Sequence, residues 1–281
     1  MNLSGLANII GNSIVGGIPG GGGGTPPQPA NAWSMQTDGV DQYAESATSP
    51  YSTLDGDTNF SFSVWVKPDN FTHDRIIFSI PQTNTTGGPS DDQQVLLYIR
   101  PGGIMDFRIA RQVFYVRSSV SLTAGAWQHV VISVDLNQPS ATGNKASVYI
   151  NGVLSVGVNN MSDSNQTNYN IFNATTSIGT LGVGEDTNLS YLNPFYGFMD
   201  EFAIWSGVTL SSTDVLGIYN QGGAGKPGNL NQLTNPPNLW YRFGDNNTPP
   251  GSGTAIPNQG SSGATDNGAA INGASFVNDT P

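Results

Sequence analysis

Strands rather than helices should build this chain. The expected fold is all-β, two antiparallel sheets packed as a sandwich, with an extended N-terminal arm and one short helix. Three observations carry the expectation. Of 281 residues, 36 are Gly and 18 are Pro, a density of turn formers that short strands tolerate and helical bundles do not. Apolar and polar side chains alternate with a period of two in one segment after another. Hairpin-type turn sequences separate those segments. Only 37% of residues are hydrophobic, yet 12 Phe, 10 Tyr and 5 Trp supply the bulk for a sizeable core. The length suits one large all-β domain.

Residues 1–32 stand apart as an arm and linker. Leu3, Leu6, Ile9, Ile10, Ile14, Val15 and Ile18 are apolar but interleaved with Gly and Asn, and they lead into Gly20–Gly24 and then Pro26, Pro27 and Pro29. Such a segment reads either as a flexible leader and linker or, being too interrupted to fold alone and too apolar to stay solvated, as an arm whose seven apolar residues are expected to bind a partner. A secretory signal would need a basic start, and the first basic residue is Lys67.

The sandwich is expected over 33–281. Phe60–Lys67 alternates with Phe60, Phe62, Val64 and Val66 on one face. Gln94–Arg100 and Ile104–Ala110 read as a hairpin across Pro101-Gly102-Gly103, and Gln112–Val116 and Trp127–Asp135 follow. Ser147–Ile150 and Val153–Val158 are joined by Asn151-Gly152, the pair that a type I′ turn favours because both positions need positive φ. Further strands are expected at Thr176–Thr180, Phe195–Trp205, Leu239–Phe243 and Ala274–Val277. One helix is signalled, by the capping box Ser211-Ser-Thr-Asp214 ahead of Val215, Leu216, Ile218 and Tyr219, with Gly222 beyond its end. Val64, Val66, Val130, Ile132, Phe202 and Ile204 should lie in the core. So many short strands with one helix suit a sandwich of the jelly-roll kind.

Charge and composition remove several functions. Nine Lys and Arg against 20 Asp and Glu give −11, so neither nucleic acid nor an anionic membrane surface is an expected partner. No apolar run is long enough to insert in a membrane as a helix. The chain has no Cys and two His, His73 and His129, which excludes thiolate metal sites and argues against a zinc site. Gly20–Gly24 lacks the Lys-Ser/Thr of a phosphate-binding loop. The three Glu are Glu45, Glu185 and Glu201; none has the spacing that sets two carboxylates on one face, and Asp200-Glu201 should point to opposite faces. The chain is therefore not expected to be an enzyme.

Four motifs, in order, resemble the laminin-G-like branch of the concanavalin A-like lectin/glucanase superfamily. They are Ser34-Met-Gln-Thr-Asp38-Gly-Val-Asp41-Gln-Tyr43; Phe60–Pro68; Trp127–Asp135 with Val148–Gly152; and Tyr196–Trp205 with Leu210–Gly222. The resemblance implies a concanavalin A-like jelly roll and a lectin-like, carbohydrate-binding role. The tail, Leu239–Asp245 and Ile256–Phe276, resembles a segment that usually precedes the opening strand. It reads as a circularly permuted extension, about 236–281, that supplies extra strands to the sandwich or a small annex beside it. This ending also resembles structural proteins of phage genomes.

Asp200 is the carboxylate of interest. Alternation places it on one face with Phe198, Phe202 and Ile204, where an unpaired charge is very costly. The resemblance brings Asp38 and Asp41 near it, and hard oxygen donors of that kind suit Ca²⁺; backbone N–H donors tying down a loop are the other solution. The expected role is that of a virion structural protein, a surface, decoration or fibre component. It would assemble as a homo-oligomer or with other virion proteins through the arm and display a module for host-surface carbohydrate on the exterior. An exported, non-viral carbohydrate-binding or adhesion protein is the alternative, and a glycoside hydrolase a more remote one.

Overall fold

The computed structural model describes residues 31–46, 54, 57–80, 95–109, 114–138, 145–159, 180–185, 191–244 and 255–281. The seven apolar arm residues from Leu3 to Ile18, the Gly run, and positions 176–179 of one expected strand lie outside the described residues.

Two antiparallel sheets face each other. The first contains β1 (Ser34–Asp38), β3 (Asn59–Pro68), β8 (Gln128–Asp135), β9 (Ala146–Ile150), β10 (Val153–Leu154), β15 (Tyr196–Ser206), β16 (Leu239–Tyr241) and β19 (Ser275–Val277). Its order is β10-β9-β8-β3-β15-β1-β19, with β16 also on β15. The second contains β2 (Tyr43–Ser46), β4 (Arg75–Ile80), β5 (Val95–Ile99), β6 (Ile104–Ile109), β7 (Phe114–Ser121), β11 (Val158–Asn159), β12 (Thr180–Leu181), β17 (Ala255–Ile256) and β18 (Gly268–Ile271). Its order is β11-β7-β6-β5-β4-β12-β2-β18-β17. A small ribbon pairs β13 (Gly184–Glu185) with β14 (Tyr191–Leu192).

The alternation of β3 does what the period of two requires. Phe60, Phe62, Val64 and Val66 are fully buried in the space between the sheets, where the Phe62 ring centroid lies 5.1 Å from that of Phe78 and Phe78 lies 5.0 Å from Phe202. Val130, Ile132 and Ile204 join them as expected. The outward residues of β3 are buried as well. Ser61 Oγ donates to the Val208 carbonyl at 2.9 Å, Ser63 Oγ lies 2.8 Å from His129 Nε2, and Trp65 stacks 5.6 Å from Tyr219 of α1 (Ser212–Tyr219). The first sheet is thus covered on both faces, and α1 begins with the full Ser211/Asp214 capping box.

The opening motif and one expected strand each divide between the sheets. The opening segment breaks after Asp38, whose Oδ1 accepts from Val40 N at 2.9 Å while Gly39 takes φ +74, sending β1 to one sheet and β2 to the other. Val153–Val158 likewise separates into β10 and β11. The strand β4, an apolar run without alternation, had no signal of its own.

The tail belongs to both sheets: β19 pairs with β1, β18 with β2, and β16 with β15. Strand β16 lies opposite Phe202–Ile204, and β1 lies opposite Tyr196–Met199 on the same edge of β15. Together β16 and β1 form one composite strand, and Asp200 and Glu201 stand opposite the joint. The segment resembling the family's lead-in therefore sits, in space, directly ahead of the opening strand.

Candidate functional site

A bulge in β15 builds the first candidate site. Its register with β3 shifts between Asp200 and Ala203, and Glu201 takes φ +52, so two residues oppose one and the alternation is reset. Phe202 and Ile204 return to the core while Asp200 stays on the other face, which corrects the expectation that all three share a face. The bulge also corrects the separation of the two carboxylates. Asn31 Nδ2 donates to Asp200 Oδ1 at 2.8 Å, Asp200 Oδ2 at 3.0 Å and Glu201 Oε1 at 3.2 Å, and it reaches the Arg242 carbonyl at 2.7 Å. Both carboxylates therefore meet at one amide, which closes the joint of the composite strand.

Asn31 Nδ2 has two hydrogens to share among these four acceptors, and other donors serve three of the carboxylate oxygens. Glu201 Oε2 accepts from Trp240 Nε1 at 2.6 Å, Glu201 Oε1 from Arg242 Nε at 3.3 Å, and Asp200 Oδ1 from Glu201 N at 2.8 Å. Asp200 is fully buried and Glu201 nearly so. Burial raises the Glu201 carboxyl to about 7, against the opposing pull of Arg242, Trp240 and Asn31. Burial, then the charge of Glu201, raises Asp200 well above the ordinary carboxylate range. A cleft of about 330 Å³ opens beside the pair, lined also by Lys226, Asn229 and the C-terminal residue Pro281. The arrangement ties Asn31 to β15 and β16 beside the cleft, with both carboxylates gathered around one amide.

The calcium expectation fares differently. Asp38 is exposed, its Oδ1 capping the turn to Val40, and Asp41 is exposed in the same turn. Asp38 pairs with Tyr196 in register, four residues along β15 from Asp200, or about 13 Å at strand rise. The structure does not bring Asp200 together with Asp38 or Asp41, and among the described residues no three His, Asp or Glu gather where they could hold a metal ion. The three residues as arranged do not fit a shared Ca²⁺.

The second candidate site is on the outer face of β5–β7 and was not anticipated. Asp106 is fully buried and accepts from Tyr98 Oη at 3.0 Å, Arg100 Nη1 at 3.2 Å, Arg108 Nε at 3.1 Å and Arg117 Nε at 2.8 Å. Burial alone would raise its carboxyl, but the hydrogen bonds from Arg108 and Arg117 outweigh burial and hold it below the usual range. It therefore remains an anion at neutral pH. Arg108 lies over the Tyr98 ring at 5.1 Å and Arg117 over Tyr115 at 4.4 Å, contacts that hold planar guanidiniums flat and ordered. The signal was present in sequence as Asp106-Phe-Arg108, two polar residues on one strand face. The Pro101-Gly102-Gly103 hairpin also implies the observed pairing of Tyr98 with Asp106. Arg117 needed the position of β7, which the sequence alone left open.

Comparison with known proteins follows the fold. No curated protein sequence matches the chain. Among solved structures, it resembles a candidate carbohydrate-binding protein from Bacteroides ovatus (TM-score 0.55, 17% identity), covering 88% of this chain and 60% of that one. It also resembles the heptameric SAP-like pentraxin of Limulus polyphemus (TM-score 0.51, 15% identity), covering 71% and 87% of the two chains. Identities so low establish a shared lectin-like fold and nothing finer. A family profile, in contrast, matches residues 38–216, well over half of the sequence, and by that match the chain belongs to the concanavalin A-like lectin/glucanases superfamily.

Proposed function

We propose that this chain is a non-catalytic lectin-like module that binds saccharide through the outer face of β5–β7 and is carried on a virion exterior by its N-terminal arm. The observation that carries the binding role is the arrangement of Tyr98, Tyr115, Arg100, Arg108 and Arg117 on one sheet face, held by the buried Asp106. Saccharide recognition needs ordered hydrogen-bond donors beside aromatic rings, and a rigid sheet fixes both better than a loop does. The candidate carbohydrate-binding protein of Bacteroides ovatus, built on the same fold, supports the reading. The Asp200–Glu201 pair is taken up in clasping Asn31, Trp240 and Arg242, which supports a structural role for these carboxyls and a module without hydrolase chemistry.

The virion assignment draws on the arm. An apolar segment interrupted by Gly, then a Gly/Pro stretch, suits an anchor that orders on a second copy or another structural protein and holds the sandwich outward. A glycan array probed with the full-length protein tests the binding role: signal on a defined saccharide class supports it, and a blank array at high protein concentration removes it. Mass spectrometry of purified particles tests the setting. Absence of the chain from virions would leave the exported adhesion protein as the better account.

A further inference from the structure

We infer that arm residues 3–18 of one copy dock on an apolar patch at the β10–β11 edge of a second copy. The inference rests on the reading of residues 1–32 as an anchoring arm and names the surface that receives it. Among the described residues six large apolar side chains are exposed, and five of them belong to this edge. Val153 and Leu154 of β10 and Val158 of β11 lie within one six-residue segment. Val120 and Leu216 flank it: Val120 N donates to Ser155 Oγ at 3.3 Å, and a Cβ on Gly152 would stand 3.0 Å from Leu216 Cδ1. The five remain between 46% and 65% exposed. Apolar residues scattered singly over a surface need no explanation, but their concentration on one edge marks a contact surface.

The backbone that carries the patch is already fixed. Ser155 N donates to the Val148 carbonyl at 2.8 Å, the Ser155 carbonyl accepts from Ser119 N at 3.1 Å, and Gly157 N donates to the Arg117 carbonyl at 2.8 Å. Val156 packs against the core between them. Among the described residues β10 and β11 end their sheets, and each is two residues long. Apolar contact rather than strand pairing therefore supplies the docking. Charge selects the occupant. Residues 146–162 contain no Asp, Glu, Lys or Arg, and neither do residues 1–30, in a chain whose net charge is −11. Two such segments meet without desolvating an ion or opposing like charges. Length selects a second copy over the chain's own edge. From β1, which the chain enters from Asn31, to β10 is five strand spacings, about 24 Å. Residues 19–30 as a flexible Gly-rich linker have an r.m.s. span of about 19 Å. The helix α1, stacked through Tyr219 on Trp65 and His129, also lies across the outer face between the two points. The edge of a second copy can approach the arm from outside that obstruction.

Light scattering on full-length proteins over a dilution series tests the docking. The wild type should exceed the monomer mass. An arm variant, Ile9→Ser with Ile10→Ser, Ile14→Ser and Val15→Ser, should be monomeric. So should a patch variant, Val153→Thr with Leu154→Thr and Leu216→Gln, and both should keep a cooperative melt. Mixed in equal amounts, the two variants should associate, because one retains the patch and the other retains the arm. Leu154→Thr alone should move assembly to about tenfold higher concentration, a result that does not depend on how the triple variant folds. A wild type that is monomeric at every concentration overturns docking on a second copy. A patch variant that assembles beside a monomeric arm variant also overturns it, and leaves the anchoring arm in place with another receiving surface. Two monomeric variants that fail to associate when mixed overturn it as well. An arm variant that assembles like the wild type defeats the anchoring reading itself.

Discussion

Glu201 and Asp200 are buried and share one amide donor, Asn31 Nδ2, and their titration should be visible in stability. Burial raises Glu201 from 4.5 to about 7. A carboxyl raised in this way holds its proton more tightly in the folded chain, so its contribution is complete below pH 4.5 and drains away as pH climbs through about 7. Asp200, raised by burial and by the charge of Glu201, acts in the same direction. His129 opposes them. Burial lowers its imidazole from 6.5 to about 3, so the unfolded chain takes up a proton that the folded chain refuses, and stability falls as pH drops through 6.5. The two slopes overlap and partly cancel in the wild-type curve, so a difference between variants is the informative quantity. Glu201→Gln removes one titration and keeps an acceptor for Trp240 Nε1. We expect its melting temperature, measured relative to wild type, to improve by several degrees between about pH 5 and about pH 8, at roughly 1.4 kcal/mol per unit of pKa shift as an upper bound. A pH-independent difference would contradict the buried-proton account.

At the scale of elements, what was legible followed from local physics. Strand β3 and the β5–β6 hairpin are written in alternation and turn residues, α1 in its capping box, and the Asn151-Gly152 turn in two positive φ values, +51 and +77. The bulge in β15 was not legible, because a period-two count assumes that no residue is inserted, and the insertion is compensated by Asn31, a residue that reads as linker. Arg100, Arg108 and Arg117 are likewise ordinary strand residues until sheet order places them around Asp106. Gly197, just before the bulge, shows how tightly β15 lies on β3. It takes φ +136, and a Cβ there would stand 2.3 Å from the Lys67 carbonyl oxygen and 2.9 Å from Pro68 Cα. Both contacts are backbone and cannot swing aside. Gly197→Ala should cost roughly 3 kcal/mol or more, the sum of strained φ and overpacking, read as a lower denaturant midpoint with an unchanged slope. A midpoint within error of wild type would mean that the two strands separate more readily than their register implies.

At the scale of the whole molecule, the described residues on either side of the matched region, 31–37 and 239–281, close the sandwich. The matched region ends at 216, yet Trp240, Tyr241, Phe243 and Phe276 of the tail are buried against it. The composite strand explains why: β15 pairs with β1 over one half of its length and with β16 over the other. Where the two segments abut, a Cβ on Gly244 would lie 2.3 Å from Trp33 Cβ. Removing 239–281 would strip the apolar cover from half of β15 and expose the edges of β1 and β2, which are templates for association. We expect that chain to be insoluble or to bind a hydrophobic dye without a cooperative melt. Deleting 1–30 should do far less, because Asn31 remains to bridge Asp200, Glu201 and the Arg242 carbonyl; its melting temperature should stay within about two degrees of wild type. Extending the deletion through Ala32 removes that amide and leaves two buried carboxylates short of a donor. Losing it should cost roughly 1–3 kcal/mol, a drop of several degrees that Glu201→Gln should lessen at neutral pH. If the 1–30 and 1–32 deletions melt alike, Asn31 is not the clasp of the composite strand.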